Sequence, residues 1–207
     1  MISRRSQLVI CAALVAGAVF SAFAIEYNER RLNATMDGDY LHVTAPNFSF
    51  LNGKPLERLR DGASVAFIAQ LTVSTSPTYL EPDKSSVARF AISYDIWEER
   101  FSVTKITGHP DQKLTVSHLQ SREAETFCME SLALRRSDLP ADRPFYIQLD
   151  LRVEDPRDTA GLIGEGGFSV ARMIQIFSRP VRDKQAHWLL ESGQVRLDEL
   201  LRRGMHG

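Results

Sequence analysis

The clearest pattern in the chain is alternation of apolar and polar residues. Across residues 63–75, Val65, Phe67, Ala69, Leu71 and Val73 fall on one side of an extended backbone, and Ser64, Gln70, Thr72 and Ser74 on the other. Ala88, Phe90, Ile92 and Tyr94 repeat the pattern. Phe101 and Val103 resume it after Asp95-Ile96-Trp97-Glu98, a spacing that predicts an antiparallel hairpin. A fourth run sets Phe145, Ile147, Leu149, Leu151 and Val153 against Tyr146, Gln148, Asp150, Arg152 and Glu154. Successive strand side chains point to opposite faces, so each run predicts one face in a core and one in water, the habit of antiparallel sheets. The inward set is then Val65, Phe67, Leu71, Phe90, Ile92, Ile147, Leu149 and Leu151. Shorter strands are expected at residues 40–44, 114–118 and 186–190, with prolines and the Asn52-Gly53 turn falling between runs.

Two stretches change to helical spacing. Residues 121–135 place Ala124, Phe127, Cys128, Ser131 and Leu132 on one stripe. Glu123 and Glu125 near the start and Arg135-Arg136 at the end suit the helix dipole. Residues 168–178 bring Phe168, Ala171, Ile174 and Phe177 together before Pro180, and residues 198–203 give one further turn. Residues 155–167, with Gly161, Gly164, Gly166 and Gly167, predict a long mobile loop. The fold expected is mainly β, with α+β as the alternative. It is an antiparallel β-sandwich-like domain of residues 25–207 with one or two short amphipathic helices, the 121–135 helix covering a sheet edge or open end.

A different pattern precedes that domain. Arg4 and Arg5 are followed by an uncharged apolar run from Leu8, which ends in Ala22-Phe23-Ala24, the small-x-small form of a signal-peptide cleavage site. Ile25 extends the run to 18 residues, so retention as an N-terminal anchor is the other reading. Arg4-Arg5 is only part of a twin-arginine signal, since Gln7 replaces the preferred aromatic. Cys11 follows the bulky Ile10 and does not form a lipobox. Either outcome puts the domain outside the cytoplasm, in the periplasm or an equivalent compartment.

Composition then narrows the function classes. With 43% hydrophobic and 25% charged residues the chain can build a core. The formal net charge is -1, and without residues 1–24 the balance is 23 basic to 26 acidic residues. No basic stripe interleaved with aromatics is present, so nucleic acid is not an expected partner, and a membrane is expected only through residues 1–24 if they stay attached. Cys128 is then the single cysteine, which leaves no intramolecular disulfide. The Asn33-Ala34-Thr35 and Asn47-Phe48-Ser49 triplets match the glycosylation pattern, which acts only in a eukaryotic host.

Several segments together resemble a known family. They are Leu59-Arg60-Asp61-Gly62 before a long strand, Ser93-Tyr94-Asp95 before a turn, Arg100-Phe101-Ser102-Val103 after it, and an Ala-bearing helix followed by the strand at residues 145–153. Over residues 38–155 the chain resembles a family of small exported bacterial proteins defined only as a domain of unknown function. The glycine loop and the segment after it depart from that pattern. The resemblance implies an envelope location and supplies no catalytic residues.

Candidate chemistry is sparse. His42, His109, His118, His187 and His206 lack the i, i+2 or i, i+4 spacing of metal ligands, and only His109, His118 and Asp111 are placed to converge. Neither a metal nor a cofactor is expected. Gly167-Phe168-Ser169-Val170-Ala171 is close to a nucleophile elbow, and Asp183 and His187 complete a Ser, Asp, His order. An elbow needs a buried strand directly before the serine, where a glycine-rich loop stands here. The same glycines lack the Lys-Ser/Thr of a phosphate loop, and Glu165 opposes an anion. Cys128, on an apolar stripe, reads as a buried structural thiol. Glu98-Glu99 and Asp155/Asp158 read as solvated turn carboxylates.

The tip of the predicted hairpin is different. Ile96 and Trp97 are two large apolar residues in a turn, flanked by Asp95 and Glu98. Such a tip either folds back over the core or meets a partner. Ile96, Trp97 and Glu98 are therefore the candidate binding residues. The function expected is a non-catalytic binding or accessory module of the bacterial envelope, its partner an envelope protein or component. An extracytoplasmic hydrolase and a membrane-anchored structural protein are the rivals. Mass spectrometry of the protein from an envelope fraction is expected to show Ile25 as the first residue. An intact Met1 in the membrane fraction means anchoring, and a soluble cytoplasmic protein contradicts both.

Overall fold

The computed structural model describes residues 31–78, 83–107, 113–155, 163–164, 167–168, 170–182 and 185–204. The predicted export segment lies outside these residues. Strands β1 (Asn33–Asp37) and β2 (Tyr40–Thr44) form a hairpin, followed by helix α1 (Gly53–Arg60). Four long strands come next: β3 (Val65–Ser74), β4 (Lys84–Asp95), β5 (Arg100–Ile106) and β6 (Lys113–Leu119). Helix α2 (Ser121–Glu130), β7 (Ala133–Arg135) and β8 (Tyr146–Val153) complete the middle of the chain. The two-residue strands β9 (Ile163–Gly164) and β10 (Gly167–Phe168) precede helix α3 (Val170–Phe177). Strand β11 (His187–Glu191) and helix α4 (Leu197–Gly204) end the described chain.

The protein is mainly antiparallel β in two layers. Six strands form the large sheet in the order β11-β8-β3-β4-β5-β6, and three form the small sheet in the order β1-β2-β7. All pairings within both sheets are antiparallel. Alternation explains why these segments pair as they do. Register sets Phe67 opposite Phe90, Leu71 opposite Leu149, and Val65 opposite Ile92, so the apolar rows share one face. All the residues assigned inward from sequence are at most 2% exposed. They form one core with Met36, Leu41 and Val43 of the small sheet, Leu59 of α1, Ala124 and Cys128 of α2, and Leu197 and Leu200 of α4.

The opposite face of the large sheet is not simply wet. Ile68 points there and is fully buried, packed with Ile176, Val87, Ile106 and Phe177. Helix α3 therefore lies on the face that alternation assigned to solvent, and Thr72, Ser74, Arg152 and Glu154 on that face are also buried. The helix begins at Val170 rather than Phe168, which pairs in β10. Its inward side carries Ile176 and Phe177, while Ala171 is exposed and Ile174 is 42% exposed.

Other boundaries also move. The helix expected over residues 121–135 stops at Glu130. The Ser131 and Leu132 amides close its last turn on Phe127 and Met129 carbonyls, and Ala133–Arg135 becomes an extended strand against β2. Leu132 and Leu134 are both buried, a spacing of two that a strand satisfies. Asn52-Gly53 is a helix start rather than a turn between strands, and Pro55 sits in the first turn of α1, where its missing N–H costs nothing. Most of the expected loop at residues 155–167 lies outside the described residues. Leu149, on β8 between β3 and β11, is 1% exposed. Leu149→Ala is expected to cost about 2–5 kcal/mol in urea unfolding, and a loss under about 1 kcal/mol would place it outside the core.

Candidate functional site

The β4–β5 hairpin ends in a turn built by short-range chemistry. Asp95 Oδ1 accepts hydrogen bonds from the backbone N–H of Trp97 at 2.8 Å and of Glu98 at 3.0 Å. An aspartate that bonds the backbone two residues on pre-forms a tight turn. Glu99 closes it with φ 53°, in the left-handed region. Beneath the turn the rings of Tyr94 and Phe101 lie 4.8 Å apart, directly paired across the two strands. The tip is thus fixed at its base by an aromatic pair and at its crown by a carboxylate.

The three candidate residues sit differently on this frame. Ile96 is 55% exposed and leans toward the α1–β3 turn, its Cδ1 4.0 Å from where a Cβ on Gly62 would stand. Gly62 has φ 83°, which glycine adopts without strain. Glu98 Oε2 lies 3.2 Å from His118 Nε2 on the neighbouring strand β6. His118 occupies a bulge, where the β5–β6 register shifts between Phe101 and Val103 and His118 takes φ 64°. A bulge re-aims a side chain, and this one carries the imidazole to the hairpin tip. Both partners are exposed, so the contact orients the groups more than it stabilises the fold. Trp97 is 96% exposed. Asp95, Glu98 and Glu99 are its acidic neighbours in sequence, and Arg100 is the nearby cation.

Two buried polar sites were not visible in the sequence. On the outer face of the large sheet, His187, Arg152, Ile68, Arg89 and Ile106 stand in one row across five strands. Arg152 donates to both oxygens of Asp150, at 2.9 and 2.6 Å, and to the carbonyls of Ile176, Phe177 and Arg179 at the end of α3. Its guanidinium also lies 4.9 Å from the Phe177 ring centroid. A cation on the last carbonyls of a helix satisfies orphan acceptors and complements the dipole. Arg89 holds Glu154 Oε2 through Nε at 2.8 Å and Nη2 at 2.7 Å, with both side chains largely buried. His187 Nε2 lies 3.1 Å from Asp150 Oδ1 at an angle that makes no hydrogen bond.

The second site is Glu125 on α2, which sequence places in the first turn as a dipole partner. Glu123 has that kind of role, closing a capping box with Gln120. Glu125 turns inward and is 2% exposed. Its Oε1 accepts from Ser49 Oγ at 2.6 Å and from the backbone N–H of Phe50 and Leu51 at 2.7 Å each. Burial, and to a lesser degree the Glu125 charge, pushes the Cys128 thiol far above its ordinary range. Cys128 is accordingly an inert buried thiol, as its apolar stripe implies.

The remaining candidates do not converge. His42 Nδ1 is 2.8 Å from the Glu130 carbonyl, far from the tip in sequence. His109, Asp111, Asp158, Ser169, Asp183 and His206 lie outside the described residues. His187, the third member of the Ser, Asp, His order, faces Asp150 instead. Among the described residues no group of three or more His, Cys, Asp or Glu side chains is arranged to hold a metal ion, and no helix is long and apolar enough to cross a membrane. No family model, curated protein or solved structure matches the chain.

The Arg89–Glu154 pair makes a direct test of the outer-face network. Removing one buried partner strands the other charge, so Arg89→Met is expected to cost about 3–5 kcal/mol. Adding Glu154→Leu is expected to restore most of that loss in chemical denaturation. Additive losses would mean that the two side chains are not coupled.

Proposed function

We propose that this chain is a non-catalytic binding or accessory module of a bacterial envelope, and that it engages its partner through Ile96, Trp97 and Glu98. The observation that carries the reading is Trp97, 96% exposed on a tip whose base and crown are both fixed. An indole in water on a preformed turn has little conformational freedom left to lose, and it buries a large area when a partner covers it. Envelope location rests on the signal-like pattern of residues 4–24.

The charge around the indole narrows the partner. Asp95, Glu98 and Glu99 put three acidic residues next to Ile96 and Trp97 in the turn. An anionic lipid surface disfavours an acidic turn, while a protein surface with an apolar pocket and a basic rim complements it. The partner favoured is therefore another envelope protein.

Trp97→Ala tests the reading. Stability is expected to change by no more than about 0.5 kcal/mol, as for most surface substitutions. Capture of the partner from solubilised envelopes by the full chain is expected to weaken by more than about 1 kcal/mol, roughly fivefold in affinity. Capture unchanged by Trp97→Ala would remove the tip from the interface.

A further inference from the structure

The six-stranded sheet ends in two unlike edges. At β11 the chain closes the edge on itself: Arg31 bridges Glu191, and the Leu32 amide donates to the Glu191 carbonyl at 3.1 Å. At the other edge, nothing among the described residues pairs with the outer side of β6. An edge strand carries a row of backbone N–H and C=O groups that its own sheet leaves unpaired. The side chains of β6 also meet water. Lys113, Leu114, Thr115, Ser117 and His118 are exposed, and Leu114 is 54% exposed although register puts it on the apolar face. Val116 pairs with Val103, which is fully buried, and Leu114 lies two residues before Val116 on the same side. Leu114 and Val116 thus carry the inner apolar face out to an open edge.

We propose that β6 pairs antiparallel with β6 of a second copy of this chain about a two-fold axis at Thr115, joining two six-stranded sheets into one. The residues from Lys113 to Ser117 precede the bulge residue His118, and Thr115 is the middle of that stretch. With the axis there, Leu114 lies opposite Val116 of the second copy, so apolar meets apolar on one face. Lys113 lies opposite Ser117 of the second copy, so no like charges face each other across the pair. The ends of the strand are complementary as well. Its Leu119 end adjoins the β4–β5 turn, where Asp95, Glu98 and Glu99 outnumber Arg100. Its other end carries Lys113, the one Lys, Arg, Asp or Glu residue of β6. Antiparallel pairing therefore brings the acidic end of each copy beside the basic end of the other. A two-fold contact also uses up the edge on both copies, so assembly stops at a dimer. An interface this short belongs to the weak, transient class, and a dimer in the micromolar range is expected.

Oligomeric state is read without any envelope partner, so the outcome is separate from the reading of the hairpin tip. Sedimentation velocity of the full chain in a density-matched detergent is expected to show a concentration-dependent equilibrium between monomer and dimer. Thr115 is exposed, so its substitution reaches the pairing and not the core. Thr115→Glu and Thr115→Lys each set like charges opposite one another across the axis, and each alone is expected to weaken the dimer about tenfold or more. Mixed in equal amounts, the two variants are expected to recover a dimer, because opposite charges then face each other. Leu114→Lys removes the apolar contact at an exposed position and is expected to weaken the dimer to a similar degree, and it decides the matter if a Thr115 variant does not fold. A monomer at every concentration, a dimer that the Thr115 variants and Leu114→Lys leave intact, or a mixture that recovers nothing would each overturn the proposal. In the first case, slow hydrogen exchange at residues 114–117 would hand the edge to another segment of the same chain.

Discussion

Strand β3 has to be covered twice, and the architecture follows from that requirement. It lies between β4 and β8 in the large sheet, with Phe67, Leu71 and Val73 on one face and Ile68 on the other, all of them buried. The inner cover is the small sheet with α1, α2 and α4, which brings their apolar side chains into one core with Phe67 and Leu71. The outer cover is α3. A short helix holds weakly by apolar packing alone, and here Arg152 takes three carbonyls at its C-terminal end while Ile176 and Phe177 close over Ile68. The arginine is therefore as much a part of the fold as the leucines, because it keeps the second cover in place.

That double coverage stops before the far corner of the sheet. Strand β6 is the edge of the large sheet, and Leu114 is 54% exposed there. The β4–β5 hairpin projects at one end of this region. What holds it is local: the Asp95 carboxylate on two amides, the Tyr94–Phe101 pair, and a bulge that brings His118 to Glu98. Stability and presentation are thus separable. The core gives the tip a rigid base, while Trp97 contributes almost nothing to the core. That separation is what a binding surface needs if it is to change without unfolding the protein.

The sequence was most informative where the period was simple. Strict alternation placed Phe67, Phe90, Ile147 and Leu149 on the inner face, and two large apolar residues in a turn drew attention to Ile96 and Trp97. It misled where long-range pairing overrides pattern. Arg152 and Glu154 alternate with apolar residues and look solvated, yet Arg152 meets the Ile176 carbonyl 24 residues away and Glu154 meets Arg89 65 residues away. Glu125 looked like a first-turn acid because its donors at Ser49, Phe50 and Leu51 lie 74–76 residues back. The helical stripe ran through Ser131 and Leu132 and hid the switch to an extended strand at Ala133. Helix α1 was missed because Asn-Gly and a proline are turn signals, although both are compatible with a helix start.

Trp97 stands in water on a fixed turn rather than folded against the core. Fluorescence of the full chain with Trp188→Phe isolates its indole, since the protein has two tryptophans. Emission is expected to be red-shifted and quenched readily by acrylamide, with no change in accessibility until the protein unfolds. Blue-shifted emission, protected from the quencher in the folded protein and released on unfolding, would show instead that the ring is buried against the core.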